Sequence, residues 1–432
     1  MAFLSTKPYK GTRDFYPSDM RIRNWMFQKL RETIQSFGYQ EYDGPMLESF
    51  DLYAAKTGEE IVEQQLYWFL DKANRKMAIR PEMTPTLARM VSGKIHETPQ
   101  PIRWYSVPNL WRYERPQRGR LREHWQLNVD VLGGDPLMAD AEVLMVALEI
   151  MNSFGGQDKA VIRINHRKLV DFFFSEHLKL NSEISLRVTK LIDAKNKVSE
   201  EVFQKSLAEL GLDQDKVNKL DQFFNASFEQ IQKDFDCPGA RELAELLDYL
   251  KQSGAEKQVV FDSSILRGLD YYTGTVFEVY DCSPENNRAM FGGGRYDNLV
   301  GLFGKNKLSG VGFGMGDVTL RNFLETHQLM PSEEPSVDVF VSLPHLDLRE
   351  KAENLAKSLR SKSFKVMTPL EVGGFKNQLK LANKHGVRFV VLFGEDELKK
   401  GQLLVKELQT GNQEAVNEDQ LVDYVTKKIR GV

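Results

Sequence analysis

Apolar residues recur at helical spacing through Trp25, Met26 and Leu30, which predicts a helix starting near Ser18-Asp19 as N-cap and stopping before Gly38. Residues 39–47 read as extended, broken at Gly44-Pro45, and order resumes over 47–53. Residues 67–70 and 76–79 form the two arms of a predicted hairpin with 71–75 as its turn. A helix over 81–91 follows, with Pro81 in its first turn. Residues 102–132 read as strand, arginine-rich loop and strand, followed by a helix over 139–154.

The pattern changes after Phe174. Residues 175–255 repeat helical spacings (Val188-Leu191-Ile192, Leu243-Leu246-Leu247-Leu250) with few strand signals, as an all-helical insertion within a strand-rich domain would. Strand character returns at 259–261, 275–280 and 310–316. The polar, proline-containing stretch from Pro331 to Pro335 marks a linker. Beyond it, strands at 337–343, 365–367, 389–393 and 403–408 alternate with helices at 347–359, near 376–382 and from 419. That alternation predicts a small α/β domain. The expected division is therefore 1–174 and 256–330 for a catalytic-type domain in two parts, 175–255 for the insertion, and 335–432 for the C-terminal domain.

Composition narrows the class. At 432 residues the chain exceeds what one core usually serves, and its net charge of −3 gives no global sign of nucleic-acid binding. Two cysteines, Cys237 and Cys282, can form neither a disulfide framework nor a structural zinc site. Neither a signal peptide nor a membrane span is expected, so a cytoplasmic location is.

Four clusters carry candidate chemistry. Arg112, Arg115, Arg118, Arg120 and Arg122 fall within eleven residues between two apolar strands, punctuated by Pro116 and Gly119. Their guanidinium forks suit phosphate oxygens, though such a run can also simply solvate a hairpin. Arg267-Gly268-Leu269-Asp270-Tyr271-Tyr272-Thr273-Gly274 sets polar tips at a sheet edge, or forms an ordinary turn with aromatic packing. Gly292-Gly293-Gly294-Arg295-Tyr296-Asp297 calls for unusual dihedrals or a close approach, or is a plain flexible turn. In Gly310-Val311-Gly312-Phe313-Gly314-Met315-Gly316, alternating glycines leave one strand face bare, against which a flat ring such as adenine could lie; tight strand-to-helix packing is the other reading. The chain has no Walker-type phosphate loop.

In order and content these clusters resemble those of histidyl-tRNA synthetases. Gly11-Thr12-Arg13-Asp14 is similar to that family's opening segment, residues 38–45 to its motif 1, Arg80-Pro81-Glu82-Met83-Thr84 to its amino-acid-binding segment, and Trp111-Arg112-Tyr113-Glu114 to the start of motif 2. The resemblance covers nearly the whole chain. It implies an α+β fold: a class II synthetase antiparallel sheet with flanking helices, a helical insertion and a C-terminal α/β anticodon-binding domain. It implies a histidine–tRNA ligase that uses ATP, with Mg²⁺, to make histidyl-adenylate and passes it to tRNA(His), as a homodimer with no membrane attachment.

Residue by residue, the resemblance assigns Glu82, Thr84 and Gln126 to the α-amino group of L-histidine, and Asp130 and Tyr272 to its imidazole nitrogens, with Tyr271 in support. Arg112 takes the α-phosphate and Glu114 the adenine amino group, with Arg120, Gly314 and Gly316 also at the ATP; Arg267 acts where the carboxylate attacks. Arg115 and Gln117 meet the tRNA acceptor end. The chemistry agrees, since the substrate carboxylate is itself the nucleophile and the protein has to align it and offset charge at phosphorus.

Two positions depart from the family: Asp130 stands where it has glutamate, and Thr319 where motif 3 has arginine. Arg321 is about 200° around a helix from Thr319, which leaves Arg120, Arg122 or Mg²⁺ to supply the missing charge. A non-catalytic regulatory paralogue in histidine biosynthesis would suit Thr319, but such paralogues typically lack the C-terminal domain and often have an eroded 267–272 segment, whereas here residues 335–432 are present and Arg267 to Tyr272 is intact. Between Lys351 and Arg388, nine basic residues against two acidic ones suit a phosphate backbone.

Overall fold

The structure is a computed structural model that describes residues 4–54, 61–194, 199–266, 272–286, 288–297, 299–304, 307–332 and 335–431. It divides into two units, Met1–Met330 and Pro331–Val432.

The first unit is built on a sheet of nine described strands. Its order is Gln40–Glu41, Ile102–Ser106, Glu123–Leu132, Gly310–Gly316, Ala289–Tyr296, Thr275–Asp281, Ala160–His166 and Val259–Phe261, with Asn109–Trp111 pairing separately onto Glu123–Leu132. Only the two outermost pairings are parallel; those between them are antiparallel. Strand alternation sorts the side chains. Leu127, Val129, Val131, Val311, Phe313 and Met315 enter one core with the helices Pro17–Ser36 and Pro136–Ser153. The residues between them, Gln126, Asn128, Asp130 and the four glycines, share the opposite face.

The first helix begins at Pro17, with Tyr16 as a cap that makes no side-chain bond, and not at Ser18 or Asp19. Proline suits the first helical position because it has no N–H to leave unpaired. The helix expected from Pro81 begins instead at Thr84 and runs to Lys94, with Pro85 in its first turn. Residues 80–83 are held outside it: the buried Arg80 bonds the carbonyls of Asn109 and Gly44, and the Pro81 carbonyl accepts from Arg112. The hairpin lies where the sequence puts it. Trp68–Leu70 pairs with Lys76–Ile79, and the Asp71 carboxylate accepts from the Ala73 and Arg75 amides in the turn.

Helices Ser182–Ala194, Glu200–Glu209, Gln214–Asn225, Phe228–Asp234 and Pro238–Gln252 follow one another. A second core there joins Val188, Leu207 and Phe223 to Leu169, Val170, Phe173 and Phe174 from before them. The last of these helices turns Leu243, Leu246 and Leu250 into the main core.

The second unit is a five-stranded sheet in the order Val366–Met367, Val337–Val341, Val387–Leu392, Gln402–Glu407 and Gln413–Asn417. The first two pairings are parallel and the last two antiparallel. Helices Arg349–Ser361 and Leu421–Arg430 pack on one face through Leu355, Leu359 and Val425, and Phe375–Lys384 covers the other through Ala382. The 413–417 strand and the short helix Glu395–Lys399 had no clear signal in the sequence.

Candidate active site

The glycine strand is flanked by Glu123–Leu132 on one side and Ala289–Tyr296 on the other, with Gly312 opposite Asp130, Gly314 opposite Asn128 and Gly316 opposite Gln126. The glycine face is not bare, as expected from the sequence, but covered by its neighbours' polar side chains. A Cβ on Gly312 would lie 2.3 Å from Asp130 Oδ1, and one on Gly314 2.9 Å from the Gln126 amide. The same lack of side chains lets Tyr296 lie over Gly310 and Tyr272 over Gly294, where a Cβ would come within 2.5 Å and 3.1 Å of their rings. Only near Gly316 does the surface open, with Thr319 Oγ1 the nearest atom at 3.6 Å.

The Gly292–Gly294 segment is regular strand, and none of its glycines has a positive φ. What excludes a side chain there is proximity: a Cβ on Gly293 would fall 2.0 Å from the Gly312 carbonyl oxygen. Its neighbours Arg295 and Asp297 are scaffold. The buried Arg295 donates to Asp140 at 2.6 Å and to the Pro136 carbonyl at 2.8 Å. Asp297 accepts from Thr273 at 2.6 Å and from Ser309 at 2.5 Å.

Asp130 is buried, with its carboxylate accepting from the Tyr296 hydroxyl. Burial pushes its pKa up to about 7, and the Tyr296 bond only partly opposes this. A carboxyl so placed can accept a donor from a ligand without a competing internal cation.

The arginine-rich loop is a hairpin. Arg112 N–H donates to the Arg122 carbonyl, Gln117 and Arg120 exchange backbone bonds, and Gly119 turns the tip at φ 79°. A brace beneath it accounts for the opening segment: the Gly11 carbonyl accepts from the Arg122 and Glu123 amides, and Arg13 pairs with the buried Asp317 at 2.8 Å. Arg122 does not reach the cleft. Its guanidinium donates to the Tyr9 hydroxyl and the Glu114 carbonyl and lies 4.0 Å from the Tyr113 ring centroid. Arg321 is likewise occupied, by Glu325 at 2.8 Å and Asp19 at 3.5 Å.

Between this hairpin and the glycine strand lies a cleft of about 370 Å³. Arg112, Glu114, Arg120, Gln126, Gly314 and Gly316 all line it. Asp130, Tyr272 and the glycines above belong to the same sheet face, while Glu82 and Thr84 lie at the start of the Thr84–Lys94 helix. Arg115 is exposed and lines neither this cleft nor the neighbouring cavity that Gln117 faces. Arg267 and Tyr271 lie outside the described residues.

Sequence reasoning missed His124 and, though it named Tyr296 within the Gly292–Asp297 cluster, gave it no role. Period-two spacing could have found both, since His124 shares a face with Gln126 and Tyr296 with Gly294. Burial, then the Arg112 and Arg13 guanidiniums, holds His124 below its ordinary pKa, so it stays neutral beside the arginines.

Residues 11–318 match the family model described as histidyl-tRNA synthetase. The chain belongs to the histidyl-tRNA synthetase family. Residues 338–428 match a second model, described as an anticodon binding domain. Among its relatives, the histidine–tRNA ligase of Leptospira biflexa is 46% identical over 95% of each chain. That of Haloarcula marismortui is 36% identical over 94% of each. The crystal structure of histidyl-tRNA synthetase from Nostoc sp. PCC 7120 superposes with a TM-score of 0.84 over 99% of this chain and 100% of that one, at 24% identity, a likeness of fold. The C-terminal match and the ligase relatives do not favour the regulatory reading, and the expected α+β architecture is observed as a large antiparallel-rich sheet with helices and a C-terminal anticodon-binding domain. Among the described residues no helix is long and apolar enough to cross a membrane.

Proposed function

We propose that this chain is a histidine–tRNA ligase whose cleft along the glycine strand activates L-histidine with ATP and passes the product to the 3′ end of tRNA(His). One observation carries the placement. The residues assigned to ATP (Arg112, Glu114, Arg120, Gly314 and Gly316) and Gln126, assigned to the amino acid, line one cleft on the sheet face that also holds Asp130.

In this reading, Arg112 holds the α-phosphate and Glu114 the adenine amino group, near the open surface at Gly316. Gln126, Glu82 and Thr84 hold the α-amino group of histidine. Asp130 and Tyr272 read its imidazole nitrogens, with Tyr271 in support. The histidine carboxylate attacks the α-phosphorus, where Arg267 acts, and diphosphate leaves; the terminal ribose hydroxyl of the tRNA then attacks the acyl carbon and AMP leaves. The protein supplies alignment and fixed positive charge, and no nucleophile. A pocket with a buried carboxyl and a tyrosine also discriminates, because an apolar amino acid leaves both unpaired.

Arg115 and Gln117, on the exposed arginine-rich loop, meet the acceptor end of the tRNA, and the C-terminal unit its anticodon. Mg²⁺ would come with ATP and offset charge on its phosphates. The working form is a cytoplasmic class II homodimer, as in the family.

The test is exchange of pyrophosphate into ATP with each amino acid in turn. Exchange with histidine alone is expected. Its absence in folded protein that binds histidine would return the regulatory reading.

A further inference from the structure

The family's motif 3 arginine is absent here, and the position holds Thr319. That side chain turns back on its own helix, donating to the Gly316 carbonyl at 3.0 Å, and its methyl lies 3.4 Å from where a Cβ on Gly119 would be. Of the cations considered from sequence, Arg122 is held by Tyr9, Tyr113 and the Glu114 carbonyl. Arg120 reaches the cleft but shares its charge with Glu114 at 3.6 Å.

Beyond Thr319 the cleft adjoins a second cavity of about 280 Å³, and the two share Gly119, Arg120, Ala289, Met290 and Thr319. Arg118, Arg120 and Arg288 line this cavity, with Glu285 the one acidic residue among its described lining. Arg288 is exposed, directly before the Ala289–Tyr296 strand, and lines the cavity from a different part of the chain than the arginine-rich hairpin. Neither Arg118 nor Arg288 makes a hydrogen bond or ion pair with another described residue. Three guanidiniums facing one small cavity repel one another unless an anion lies between them, and each offers several planar donors to a phosphate.

We propose that Arg288, with Arg118, holds the β- and γ-phosphates of ATP and supplies the charge that Thr319 does not. The adenosine and α-phosphate occupy the first cleft and the tail runs past Thr319 into the second. This rests on the reading of the first cleft as the ATP site, and it adds a residue that lies outside the family's motifs as matched here. The arginine has in effect moved from the helix after the glycine strand to the leading end of the adjacent strand.

The test compares ATP with AMP, which lacks the tail, by calorimetry on the full chain. Arg288→Ala should weaken ATP by at least ~tenfold, the scale of one lost charge-assisted contact, and leave AMP within about twofold. Because Arg288 is exposed, the variant should keep the wild-type melting temperature. In the exchange assay the KM for ATP should rise likewise, with the KM for histidine unchanged. Unchanged ATP affinity, or equal losses for ATP and AMP, overturns the proposal. Wild-type protein that binds neither nucleotide would remove the ATP reading of the cleft, and this proposal with it.

Discussion

Two buried aspartates of the same unit, Asp130 and Asp140, differ in what surrounds them. Asp140 takes Arg295 at 2.6 Å on one oxygen and Thr275 at 2.6 Å on the other, and both pull down a pKa that burial raises. Asp130 has, among the described residues, the Tyr296 hydroxyl as its one hydrogen-bond partner and no counter-cation. A buried charge that is fully paired fixes the packing around it, here tying the helix Pro136–Ser153 to two strands of the sheet. One left short of partners costs stability and is a candidate binding group. The contrast separates scaffold from site where sequence composition treats the two residues alike.

The largest expected effect breaks the satisfied pair. Arg295→Ala leaves Asp140 buried without its cation and should cost about 3–5 kcal/mol in urea unfolding. A loss below about 1 kcal/mol would mean that the pair is not the clamp described.

Asp130→Asn should act in the opposite direction. In the native chain Asp130 keeps its proton up to about pH 7, whereas its ordinary value is 3.8. The native state therefore binds more protons between these values, and its stability falls as pH rises through them. Asparagine abolishes the titration, so the variant's advantage should grow between pH 4 and 7, by up to about 4 kcal/mol, and then level off. A difference that is flat with pH would contradict an elevated Asp130.

A smaller effect sharpens the same point. Tyr296→Phe removes the hydroxyl that favours the Asp130 carboxylate, so the Asp130 pKa should rise further, at a stability cost of about 1 kcal/mol. A downward shift in an NMR titration would reverse the sign of the argument.

Much of this was legible in the sequence. The alternation of Gly310–Gly316 marks a core face and a glycine face, and the arginine-rich hairpin stands between the strands Asn109–Trp111 and Glu123–Leu132 as its punctuation suggests. What sequence could not give was partnership across long separations. That Gly312 makes room for Asp130, that Tyr296 caps it, and that Arg295 is scaffold depend on the register of three strands. Arg288 escaped notice for the same reason, since only the fold brings it to the cavity at Thr319. Local chemistry also misled: Pro81 looked like a helix start, but Pro85 fills that role while the Arg80 side chain is tied to the Asn109 carbonyl and the Pro81 carbonyl to Arg112.

The central claim is that Asp130 is left under-paired because it receives the imidazole of the substrate. Calorimetry of histidine and ATP binding to Asp130→Ala tests it most directly. Histidine affinity should fall by about 100-fold, the scale of a lost hydrogen bond to a buried charged group, while ATP affinity stays within about twofold. Equal losses for the two ligands, or histidine bound as before, would contradict the account.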